Sequence, residues 1–69
     1  MKTYSFKTPA EVAATFGCSE KQAREQIMRC RAGIIAMLLR ARHSGKKVNG
    51  YTEAELEQMN LAYNRALAV

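Results

Sequence analysis

This 69-residue chain has no aspartate, one histidine and one proline. With His43 alone and no aspartate, it offers no Ser-His or Cys-His arrangement with a third group to orient the base. No glycine-rich phosphate loop is present, and the six glutamates fall mostly at helix starts or solvent positions. An enzyme is not expected. Metal ligands are as scarce. Cys18, Cys30 and His43 do not make up the four ligands zinc usually takes, so neither metal nor cofactor is expected. Both cysteines fall at positions expected to face apolar neighbours, where cysteine serves as a small hydrophobe. No apolar run approaches the roughly 20 residues that cross a bilayer. No long apolar segment follows the N-terminal lysine, so no secretory signal is expected. A cytoplasmic chain with reduced cysteines and no membrane partner is the expectation.

What is present is apolar and basic. Hydrophobic residues make up 48% of the chain, too many for a disordered segment. Eleven Lys/Arg oppose six Glu, for a net charge of +5. Residues 1–50 hold ten of those cations against three glutamates, whereas residues 51–69 hold Arg65 against Glu53, Glu55 and Glu57. A basic body with an acidic end suits a polyanionic partner, although the same charges also serve as a solvated surface.

Helix signals organise the chain as all-α, a compact bundle of three to four helices. Thr8, Pro9 and Glu11 give an N-cap, a first-position proline and a capping box. Val12, Ala13 and Phe16 follow at helical spacing, and Gly17 ends the helix in the left-handed conformation. Ser19 and Gln22 form a second capping box, and Thr52 and Glu55 a third. From Glu20 to His43 there is no proline. The segment reads as one helix through Gly33, or as two with Arg31–Gly33 as a C-cap; the lack of a cap before Ile34 favours one. The last helix has one apolar face, Leu56, Met59, Tyr63 and Leu67, expected to pack on both earlier helices. Residues 1–7 read as an extended N-terminal arm in which Tyr4 and Phe6 pack on the body. Residues 8–69 read as a single helical domain.

The order of residues 8–28 resembles the helix-turn-helix unit of small phage- or plasmid-type DNA-binding proteins. Ala13 matches the small residue where the second helix crosses the first, Gly17 the turn glycine, Cys18 the corner plug and Ser19 the cap. Ala23 and Ile27 would face the core, leaving Glu20, Lys21, Arg24, Glu25 and Met28 outward. The resemblance implies a sequence-specific transcriptional regulator that binds double-stranded DNA as a dimer. Lys21, Arg24, Glu25 and Met28 would then face base edges, with Arg29, Arg31, Lys46 and Lys47 on the phosphate backbone. Residues 44–51, with a tight turn at Asn49-Gly50, read as an ordinary loop or a small basic wing.

The middle segment carries two apolar stripes where a surface helix has one. Ala23, Ile27, Cys30, Ile34, Leu38 and Ala41 form the first; Met28, Ala32, Ile35 and Leu39 form the second. So short a chain cannot cover both, so a homodimer is expected, with Met28, Ile35 and Leu39 at its interface. Arg24, Arg31 and Arg42 share one row of the helix, and Arg29 and Arg40 another. Such rows track phosphates or solvate the edges of an apolar helix. The doubled stripe and the glutamates near the expected phosphates favour an alternative: a phage-type helical protein that modulates a host protein, such as RNA polymerase or a defence nuclease.

Overall fold

The three helices of the described residues begin where hydroxyl side chains cap them. In the computed structural model, which describes residues 4–69, α1 spans Pro9–Phe16, α2 Glu20–Ser44 and α3 Glu53–Leu67. Thr8, Ser19 and Thr52 each accept a hydrogen bond from the backbone N–H three residues on. The reciprocal bonds of a capping box are complete at Ser19–Gln22 and Thr52–Glu55. Gly17 and Gly45 stop α1 and α2 at φ +66° and +69°, conformations that cost a side-chain-bearing residue.

Helix α2 is continuous through Gly33. Its 25 residues make a rod of about 37 Å, which sets the 39 Å long axis of the molecule. The radius of gyration is 13.0 Å, against about 11 Å for a compact chain of this length. A Cβ built on Gly33 meets nothing within 4 Å. Gly33→Ala is therefore expected to stabilise the fold by about 1 kcal/mol, raising the midpoint of a circular-dichroism melt by about 4–8 °C. An unchanged or lower midpoint would contradict an uninterrupted helix at this point.

Each of the other helices packs on α2, while α1 and α3 hardly meet. The expectation that α3 would pack on both earlier helices holds for α2 alone. The central core joins Ile34, Leu38 and Ala41 of α2 to Leu56 and Met59 of α3. Ala23, Ile27, Ala62 and Ala66 are also buried. Tyr4 and Phe6 close the core from the side, as expected of the arm, and Phe6 stacks on Tyr63 at 4.0 Å between ring centroids. Residues 1–3 of that arm lie outside the described residues. Partial burial raises the pKa of the Tyr63 phenol, as burial and a hydrogen bond to Glu55 raise that of Tyr4. The connector between α2 and α3 closes as a single antiparallel bridge, Val48 to Tyr51. Asn49 and Gly50 both take positive φ at its tip, as the tight hairpin turn requires.

Cys30 departs from its expected place. It lies on the rim of the first stripe and is exposed, whereas Cys18 is half-buried; both are free thiols.

Candidate functional site

The end of α3 explains what one arginine row does. That helix stops without a glycine, at Ala68 in the right-handed conformation. Its last carbonyls need donors, and Arg24 supplies them from across the fold. Nη1 donates to the Leu67 carbonyl at 2.9 Å and Nη2 to that of Val69 at 3.4 Å. A cation at a helix C-terminus is also favoured by the macrodipole. Arg31 donates to Asn64 Oδ1 at 2.9 Å. Arg42 pairs with Glu57 at 2.7 Å and with Glu53 at 3.4 Å, and the hydrogen bond to Glu57 raises its pKa. The row Arg24, Arg31, Arg42 thus clasps an antiparallel α3 along its length.

Two of the expected DNA contacts, Arg24 and Arg31, have partners within the fold. Arg24 and Arg31 are half-buried against α3 and spend their guanidinium groups on it. On a helical wheel they stand about 60–80° from the centre of the buried stripe, close enough for α3 to cover them. Arg24→Ala would therefore remove a helix cap, so it is not a clean probe of binding. Lys46 and Lys47 are exposed but follow Gly45, at the far end of α2. About 36 Å of helix separates them from Lys21. Within the chain they do not flank the same stretch of surface.

What remains together at the start of α2 is Lys21, Glu25, Met28 and Arg29, all exposed. The turn residues Gly17, Cys18 and Ser19 project this end of α2, and Ala23 and Ile27 anchor it from beneath at 1% and 6% exposure. Lys21 sits in the first turn, where the macrodipole disfavours a cation. Neither Lys21 nor Arg29 has an ionic partner among the described residues. Arg40 lies about 16 Å further along the same side as Arg29 and is equally exposed.

Beside this face, α1 covers α2 incompletely. Val12, Phe16, Cys18 and Ala23 line an open groove of about 530 Å³, rimmed by Gln22, Glu25, Gln26 and Arg29. Phe16 is 76% exposed on its edge. The sequence placed Phe16 on the apolar side of α1; its exposure follows from the shortness of α1, which buries only Pro9.

The second stripe of α2 is where the sequence put it. Met28 and Leu39 are 48% and 58% exposed, Ile35 is half-buried beside them, and Leu61 of α3 adds a fourth apolar side chain at 48%. Among the described residues no group of three His, Cys, Asp or Glu side chains could hold a metal ion. No helix among them is long and apolar enough to cross a membrane. No family model, curated protein or solved structure gives a significant match to this chain.

Proposed function

We propose that the chain is a DNA-binding regulator of the helix-turn-helix type, reading double-stranded DNA with the first three turns of α2. The observation that carries this reading is the exposed face Lys21, Glu25, Met28 and Arg29, projected by the left-handed Gly17 turn and backed by buried Ala23 and Ile27. Arg29 takes the role the sequence gave to Arg24, because its guanidinium is free to reach guanine or phosphate. Lys21 supplies a second cation, and Glu25 accepts from a cytosine amino group. The net charge of +5 adds a sequence-independent attraction that salt weakens.

A second reading rests on the groove between α1 and α2. An apolar cleft with a phenylalanine on its edge suits the side chains of a host protein, and a helix-turn-helix scaffold does not fix the ligand. Binding to selected duplex DNA, titrated with salt, separates the two. Arg29→Ala should lower affinity for the preferred duplex by about 5- to 150-fold, the scale of a bidentate arginine–guanine pair at about 1–3 kcal/mol. Arg65→Ala, on α3, should change it little. Wild-type protein with no preferred sequence would sink the DNA reading and leave the groove as the site.

A further inference from the structure

The uncovered stripe of α2 has a spacing that is complementary to itself. Met28, Ala32, Ile35 and Leu39 follow one another at intervals of four, three and four, the interval of a coiled-coil seam. Glu25 and Arg42 extend it by three residues at either end, so the series reads the same in both directions about a point between Gly33 and Ile34. Ile35, Leu39 and Leu61 line a groove of about 470 Å³ along this face, with Asn60, Glu57 and Arg42 at its edge.

We infer that a second copy of this chain occupies this face, with its α2 antiparallel and the two-fold axis beside Gly33 and Ile34. In that register Met28 meets Leu39 of the second copy. Ala32 meets its Ile35, a small side chain against a large one, as interdigitating layers require. Side-chain size decides the orientation, since a parallel pair would set Ala32 against Ala32 and leave a gap; charge adds less, because Arg42 also bonds Glu57 and Glu53 of its own chain. The antiparallel pair sets Glu25 against Arg42 of the second copy at both ends of the seam. A parallel pair would set Glu25 against Glu25 and Arg42 against Arg42. Leu61 flanks the seam and is covered by the same partner.

The arrangement does not depend on the DNA reading, but it narrows it: in the pair Met28 and Glu25 face the seam, which leaves Lys21 and Arg29 to the duplex. Arg29 and Arg40 lie about 90–110° around α2 from the seam, so the two-fold axis leaves all four arginines of the pair on one side. Along the pair the two Lys21 stand about 37 Å apart and the two Arg29 about 14 Å.

The test is mass and orientation in solution. Sedimentation equilibrium of the full chain should give twice the 7.7 kDa of one copy. Leu39→Glu should give one copy, with the helical circular-dichroism signal retained. For orientation, Cys18 and Cys30 are replaced by alanine and new cysteines are placed on the seam. Mixed Met28→Cys and Leu39→Cys chains should form an inter-chain disulfide on mild oxidation. Leu39→Cys chains alone should not, because the antiparallel register holds those positions about 16 Å apart. A wild-type monomer across the micromolar range would overturn the inference, as would ready crosslinking of Leu39→Cys to itself. A dimer that passes both tests yet prefers no DNA sequence keeps the seam and removes only the DNA reading.

Discussion

Leu56→Ala is expected to cost about 3 kcal/mol, within the 2–5 kcal/mol range of leucine truncations in packed cores. Leu56 has no solvent exposure and is the side chain through which α3 meets Ile34, Leu38 and Ala41 of α2. The core around it is small, because four of the nine buried hydrophobics are alanines that bring helices close without filling much space. A 69-residue domain has about 3–10 kcal/mol of stability in all, so the variant should lose between a third and all of it. Its melt, at the same protein concentration as wild type, should shift down by at least 12 °C. A shift below 4 °C would show that the α2–α3 contact is not what holds the chain together.

Gly17→Val tests the other packing unit. Gly17 has φ +66°, its N–H bonds to the Ala13 carbonyl, and a Cβ built there meets nothing within 4 Å. Any loss therefore comes from the backbone itself. A β-branched residue in the left-handed region costs about 1–3 kcal/mol, and relief would require α1 to swing away from α2. Gly17→Asn is the control, since asparagine visits that region readily. Urea titration should show a loss of about 2 kcal/mol for valine and less than half of that for asparagine. Equal losses would point to a cause other than positive φ, and no loss would mean the turn does not constrain α1.

The helix boundaries were legible because their causes are local. Thr8, Ser19 and Thr52 bond within three residues of themselves, and Gly17 and Gly45 act on the carbonyls just before them. The buried stripe Ala23, Ile27, Ile34, Leu38 and Ala41 follows from helical periodicity alone. The fate of the arginines was not legible in the same way. Arg24 bonds to a carbonyl 43 residues away, and that contact depends on which flank of α2 the third helix covers. Periodicity groups Arg24, Arg31 and Arg42 correctly, but a row of cations looks the same whether it faces phosphates or a helix end. The separation of Lys46 and Lys47 from Lys21 was not legible either, because it depends on α2 running as one continuous 25-residue helix.

The core cluster occupies the C-terminal half of α2, while α1 and the start of α2 rest on Ala23, Ile27 and Pro9. Stability is therefore graded along one rod. Small opening motions can release α1 and the first turns of α2 while Ile34, Leu38 and Leu56 stay packed, so in a hydrogen-exchange measurement the amide protons of the first region should exchange with solvent before those of the second. The exposed face at Lys21 and Arg29 lies in the part of the fold that opens most cheaply. A ligand that closes it gives up some binding free energy to order it, and gains a surface able to adjust its shape on contact.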